Sequence, residues 1–197
     1  MKKKLFAPMG YLVLASVLVV LGVGRVKWPD CLSGEEIAAL REQYPVYENY
    51  QVDPGMAYPM YSYQREAVEV MDSVVYAEVV EGGTPPRPMI RILQDTEGVF
   101  QPGEECSLSV GGYYAPYTAQ FPVGTRIAAP MKREDRPSHT LRYERLSVYY
   151  VIEDKYLLSV YPDRVFRGET NFTGRTLEDY WTTCKLWKRF PLTDWKR

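Results

Sequence analysis

One histidine, three cysteines and three close pairs of acids are the residues of this chain best suited to chemistry. His139 lies in the polar stretch EDRPSHT, and Cys31, Cys106 and Cys184 are scattered. The acid pairs are Asp95/Glu97, Glu104/Glu105 and Glu134/Asp135. A structural zinc site needs Cys and His ligands at short spacings, which this set cannot supply. A Cys–His nucleophile would have to bring Cys184, on the apolar stripe of a helix, to His139 in a polar loop. Two carboxylates across a bond are the equipment of a glycosidase, and clustered acids bind calcium. Here the acids have the setting of surface turns, without EF-hand spacing. HExxH, GxSxG, GxxxxGK[ST] and CxxC are all absent. The sequence therefore assigns no catalytic residue, no metal ligand and no cofactor.

The remaining chemistry is aromatic. The chain has 17 Tyr, 4 Trp and 6 Phe. Such rings offer a flat apolar face and a polar edge, which suits a sugar or a peptide. They also populate β-strands for packing alone. Two stretches lack the period that packing would impose. PVYENYQVDPGMAYPMYSY, residues 45–63, carries Tyr47, Tyr50, Tyr58 and Tyr61; GGYYAPY carries Tyr113, Tyr114 and Tyr117. These seven tyrosines are the candidate ligand- or partner-binding residues.

The N-terminus supplies an address. From Leu5 to Gly24 the chain is uncharged for about 20 residues, enough for a helix to cross the hydrocarbon core of a bilayer. Lys2, Lys3 and Lys4 precede the run and favour a cytoplasmic N-terminus, with Arg25 and Lys27 opposing them. Trp28 suits the far interface. Three fates compete for this segment. Cys31 lacks the small preceding residue that lipidation needs, following Trp28-Pro29-Asp30. Gly22-Val23-Gly24 is a poor A-x-A-like cleavage site, and the run exceeds an ordinary signal-peptide h-region. An uncleaved signal-anchor over residues 1–27 fits best, with secretion after cleavage as the alternative. The partner implied is the membrane, with the C-terminal domain outside the cytoplasm.

Residues 1–27 hold five of the 24 basic residues and no acid, so the remainder has 19 positive against 25 negative charges, a net of −6. That balance argues against a nucleic-acid partner, which would call for a basic stripe. It also argues against docking of the domain on anionic lipid. Three cysteines cannot complete a disulfide framework, though a Cys106–Cys184 bridge is open to an oxidising compartment.

The elements that must position these residues read as follows. Ser33 and Glu36 have capping-box spacing, and Ile37, Leu40 and Tyr44 share the face of a helix that Pro45 ends. Together with the Tyr/Pro-rich linker it occupies residues 28–63, ahead of a β-rich domain over 64–197. Residues 64–71 suit a short helix with Ala67, Val70 and Met71 turned inward. Strands follow at 73–81, at MIRILQ, at CSLSV and in VGTRIAAPM. LRYERLSVYYVIEDKYLLSVYP reads as a hairpin with a long arm to Ile152, a turn at Glu153–Lys155 and a return arm Tyr156–Tyr161. Thr176 and Asp179 resemble a capping box ahead of a final amphipathic helix, whose stripe is Leu177, Tyr180, Trp181, Cys184 and Trp187 or Lys188. This helix would lie as a lid on the sheet, and Trp181 and Trp187 would supply much of its packing.

Three stretches in order, DSVVYAEVVEG, FPVGTRIAAPM and YLLSVYP…FTGRTLEDYW, resemble uncharacterised secreted or membrane-anchored proteins of Gram-positive bacteria that contain a small OB-like β-barrel. That barrel is similar in outline to the netrin-like barrels of metalloproteinase inhibitors, whose paired cysteines are absent here. The resemblance spans roughly residues 64–184 and implies a mainly β fold in an extracytoplasmic setting, without catalytic residues. The expected fold is a small OB-like barrel or curled antiparallel sheet with a C-terminal amphipathic helix, preceded by a transmembrane helix. The expected role is a binding or assembly module of the bacterial cell envelope, with an envelope protein or cell-wall glycan as partner. The alternative is an envelope-polymer hydrolase using paired carboxylates.

Overall fold

A Val-rich run with apolar residues at both odd and even positions must bury both of its faces. Ser73–Glu81 does so as β1 of the computed structural model, which describes residues 30–46, 63–82, 88–110, 121–133, 140–143, 147–166 and 170–192. The other strands are β2 (Met89–Asp95), β3 (Glu105–Val110), β4 (Arg126–Arg133), β5 (Thr140–Tyr143), β6 (Tyr149–Ile152) and β7 (Tyr156–Ser159). The helices are α1 (Gly34–Gln43), α2 (Tyr63–Val70) and α3 (Leu177–Arg189), with a 3-10 turn at Asp163–Phe166. The expected mainly β architecture with a C-terminal helix is present.

The strands form one mainly antiparallel sheet in the order β1-β2-β3-β5-β4-β6-β7, with β1 also paired to β4. Only β3 and β5 run parallel. Two irregularities in the β1–β2 register, at Tyr76/Ala77 and Val79/Glu81, add local twist. Pro130 marks another junction. On its second edge β4 meets β6 at Ile127 and Ala128, then β5 from Met131 to Arg133. Proline lacks a donor, so it fits where the strand changes partner. The outer edge of β7 is covered by the turn before α3: Leu157 N donates to Arg175 O at 2.9 Å, and Gly174 N to Leu157 O at 2.7 Å.

Alternation along the strands feeds two cores. Val75, Ala77, Val79, Ile90, Ile92, Leu108, Ile127, Met131, Leu141, Tyr150 and Leu158 pack together on the inner face. Val74, Tyr76, Ala128, Tyr149, Val151 and Leu157 point the other way and meet Leu177, Tyr180 and Cys184 of α3, with Phe172 and Val68. Phe172 is the hub of this second cluster, with ring centroids at 4.8 Å from Tyr180, 5.8 Å from Trp187 and 6.2 Å from Tyr149. α3 starts where Thr176 accepts a hydrogen bond from Asp179 N at 3.1 Å, satisfying an otherwise unpaired donor of the first turn.

α1 is capped as its sequence predicts: Ser33 N donates to Glu36 Oε2 at 2.7 Å, and Glu36 N to Ser33 Oγ at 3.3 Å. Ile37, Leu40 and Tyr44 then pack against the inner core. α1 falls in the same compact unit as the sheet, residues 31–197.

Three expectations are revised, and one open alternative, a Cys106–Cys184 bridge, is closed. In α2, Val68 is buried and Val70 is 58% exposed. Eight residues leave the helix phase loosely specified, and the packing of α3 selects Val68. The long hairpin arm is two strands, because β5 pairs with β3 and β4 whereas β6 pairs with β4 and β7. Trp181 and Trp187 are only partly buried at the margin of the outer cluster, which Tyr180 and Phe172 fill. Cys106 and Cys184 are both free and buried, in different clusters on opposite faces of the sheet, so they do not form a bridge. No helix among the described residues is long and apolar enough to cross a membrane, and the anchor expected over residues 1–27 lies outside them.

Candidate functional site

The described chain approaches both tyrosine-rich stretches from one aromatic cluster. Tyr150, fully buried on the inner face of β6, is its centre. Its ring centroid lies 5.2 Å from that of Tyr44, tilted by 46°, and 6.1 Å from that of Phe121, nearly edge-on at 83°. Such tilted and edge-on pairs set the positive edge of one ring against the negative face of another. The Tyr150 hydroxyl donates to Pro45 O at 3.0 Å, so its polar end is satisfied as well. Tyr44 and Pro45 directly precede the 47–62 stretch, and Phe121 directly follows the 111–120 stretch.

Polar contacts clamp this corner. The Arg41 guanidinium donates to the carbonyls of Ser159 and Tyr161, the latter at 3.3 Å, and pairs with Asp163 at 3.2 Å. Burial lowers the Arg41 pKa, and the Asp163 carboxylate opposes that shift. Leu32 N donates to Gly174 O at 2.8 Å. The entry to residues 47–62 is thus held from both ends of α1.

All seven candidate tyrosines, Tyr47, Tyr50, Tyr58, Tyr61, Tyr113, Tyr114 and Tyr117, lie outside the described residues, as do His139, Glu134 and Asp135. What the structure adds is the shared Tyr44–Tyr150–Phe121 root. Sequence reasoning missed it because Tyr150 is one of many strand tyrosines. Its only local signal is the alternation that turns Tyr149 and Tyr150 to opposite faces.

The described members of the candidate acid pairs, with Asp154, lie in ion pairs or turns. Glu104 pairs with Arg133 at 2.8 Å, which holds its carboxyl below the usual range. Glu105 pairs with Arg91 at 2.9 Å, and Arg91 also reaches Glu78 at 3.6 Å. Asp95 accepts from Val99 N at 2.8 Å within its turn. Asp154, at positive φ in the β6–β7 turn, accepts from Tyr76 at 2.6 Å and pairs with Arg126. Burial, then the neighbouring Glu104 charge, pushes the Cys106 thiol up to about 11, and burial raises that of Cys184 further still. Thiols shifted that way are poor nucleophiles at neutral pH. Among the described residues no three His, Cys, Asp or Glu side chains are placed to hold a metal ion. Asn171, in the sequon NFT, donates to Asp163 at 3.0 Å and accepts from Thr173 N at 2.9 Å within its own turn.

No family model matches the chain, and neither the curated proteins nor the solved structures gave a match.

Proposed function

We propose that the chain is a membrane-anchored, extracytoplasmic binding or assembly module of the bacterial cell envelope. Its partner would be an envelope protein or a cell-wall glycan. The observation that carries this reading is the common aromatic root of the two tyrosine-rich stretches. Tyr44 and Pro45 lie just before the first stretch, and Phe121 directly follows the second. One end of each stretch, though far apart in sequence, is therefore rooted at the same ring, Tyr150, and we infer that a ligand could engage tyrosines of both. Contacts of this kind depend little on salt.

We also propose that the sheet is an OB-like barrel or a curled antiparallel sheet. Supporting this is the circuit of pairings β1–β2–β3–β5–β4, which returns to β1, with β3 and β5 parallel. The pairings β6 and β7 make extend from β4, and α3 lies over the outer face. The placement outside the cytoplasm rests on the three N-terminal lysines and the uncharged run that follows them. The hydrolase alternative has no supporting geometry, since the described acids of its pairs sit in ion pairs and turns.

The test is capture from solubilised envelope, run beside a binding screen against cell-wall fragments. Wild-type chain is compared with a variant carrying Tyr47→Ser, Tyr50→Ser, Tyr58→Ser and Tyr61→Ser, and a second carrying Tyr113→Ser, Tyr114→Ser and Tyr117→Ser. Loss of capture by both variants, with unchanged melting temperature, is the expected result. Capture that survives in both, or a melting temperature that falls in both, refutes a binding role for this corner. Carbonate extraction and N-terminal sequencing test the anchor; a mature chain beginning near Arg25 refutes it.

A further inference from the structure

Four large apolar side chains stand exposed where α2 and α3 end together. Val70 is 58% exposed, Leu186 52%, Phe190 61% and Leu192 43%. This exposure is built into the fold, because the backbone that carries it is held. Arg65 donates to Phe190 O, and Leu192 N donates to Glu69 Oε1 at 2.9 Å. Lys188 Nζ reaches back to Met71 O at 2.8 Å and Asp72 O at 2.6 Å. Those bonds bring residues on either side of Val70 against the last turn of α3.

Cations frame the same patch. Lys185 and Arg189 are exposed and lie one helical turn apart, as do Leu186 and Phe190. The Arg189 guanidinium sits over the Phe190 ring, 5.5 Å from its centroid. Between Lys185 and Leu192 the chain carries three positive charges and no acid. Favourable interaction with the helix dipole accounts for cations in a last turn. It does not account for apolar side chains exposed beside them. The acids of α3, Glu178 and Asp179, are at its opposite end.

We propose that this end of α2 and α3 rests on an anionic lipid bilayer, with Leu186, Phe190, Leu192 and Val70 entering the headgroup boundary and Lys185 and Arg189 meeting lipid phosphates. Apolar side chains ringed by Lys and Arg are the composition of interfacial helices, which combine buried apolar area with charge attraction. The net charge of −6 does not oppose this. It averages over the whole domain, whereas a surface charge acts within about a Debye length, roughly 10 Å. The proposal rests on the membrane placement proposed above.

The test uses the full chain in vesicles of phosphatidylcholine with or without phosphatidylglycerol. A fluorophore is placed at Leu186→Cys in a Cys31→Ser background, and quenching by chain-brominated lipid is measured. A label at Gln101→Cys, on an exposed turn between β2 and β3, is the reference. Quenching at position 186 should rise at least about threefold with phosphatidylglycerol, and Lys185→Glu with Arg189→Glu should abolish the rise. Position 101 should stay unquenched throughout. Equal quenching at both positions, or no dependence on lipid charge, overturns the proposal. Protection of the 186 label by excess unlabelled chain in detergent, without vesicles, also overturns it and makes the patch a contact between copies. Carbonate extraction of the same vesicles reports the anchor separately. A chain that extracts, yet shows the charge-dependent quenching before extraction, loses the anchor and keeps the docking surface.

Discussion

Gly174→Ala should destabilise the domain by about 2–3 kcal/mol, partly through backbone strain at Gly174 and partly through a contact with α1. Gly174 has φ +82°, and an L-residue in the left-handed region costs roughly 1–2 kcal/mol. A Cβ built there would lie 2.9 Å from Ile37 Cδ1, closer than real contacts permit. The neighbour is the flexible end of a side chain, so a rotamer shift of about 1 kcal/mol relieves it. Urea unfolding of residues 31–197, followed by tryptophan fluorescence, is the assay. With a slope near 2 kcal/mol/M for a domain of this size, the midpoint should fall by about 1 M or slightly more. Ile37→Ala alone should cost about 1 kcal/mol, because its side chain is only partly buried. The two changes should then be non-additive. Removing the Ile37 side chain removes the clash, so the double variant should be more stable than the sum of its parts by about 1 kcal/mol. A strictly additive cycle would show that α1 does not dock on this turn, and a Gly174→Ala variant within about 0.5 kcal/mol of wild type would refute the backbone strain as well.

Phe172→Ala should cost about 4 kcal/mol, since it removes a fully buried ring and three aromatic contacts. Trp181→Ala should cost clearly less, and equal urea midpoints for the two would contradict the packing of the outer cluster. Native chain should react with a thiol reagent at Cys31 alone, and unfolded chain at all three cysteines; rapid native labelling of Cys106 or Cys184 would refute their burial. Because the Cys106 thiol is raised from 9.0 to about 11, the folded state retains a proton that the unfolded state releases, so stability should fall as pH rises from about 9 to 11. Cys106→Ala should flatten that slope, and an unchanged profile would assign it elsewhere. Glu153→Asn should raise the melting temperature slightly, with about 0.5 kcal/mol gained by placing a residue tolerant of left-handed backbone where φ is 50°.

The elements set by local chemistry were legible in the sequence, and those set by distant partners were not. The bounds of β1 are visible because a Val-rich run ends at Gly82. The caps at Ser33 and Thr176 are visible because a hydroxyl precedes an acid by three residues; at Ser33 both halves of the box form, and at Thr176 the hydroxyl half does. The turn at Glu153–Lys155 is visible because polar residues interrupt two apolar arms. By contrast, the parallel pairing of β3 with β5 leaves no mark on either strand. The split of the long arm follows from β5 and β6 meeting different partners, a choice made elsewhere in the sheet. Arg41 reads as an ordinary exposed cation of a short helix, yet its partners are main-chain carbonyls of Ser159 and Tyr161, which have no side-chain signature. The candidate tyrosines were singled out by missing periodicity. Their common root depends on Tyr150, whose aromatic and hydroxyl neighbours come from two distant parts of the chain. The same blindness affects charge, since a net value hides the all-cationic end of α3.

The contacts of α1 impose an order on synthesis. Its surfaces are complementary to Ser159, Tyr161, Asp163 and Gly174, all near the other end of the chain. A ribosome delivers α1 early and its dock late. In between, Ile37, Leu40 and Tyr44 have no surface to cover them, and a helix of this length is marginal alone in water. α1 therefore cannot dock fully until the last strands and the turn before α3 are in place. A nascent chain halted before Gly174 would display those three side chains to any holding chaperone, and release would coincide with emergence of the turn that completes the dock. The first element of the domain in chain order would then be among the later ones to become fixed.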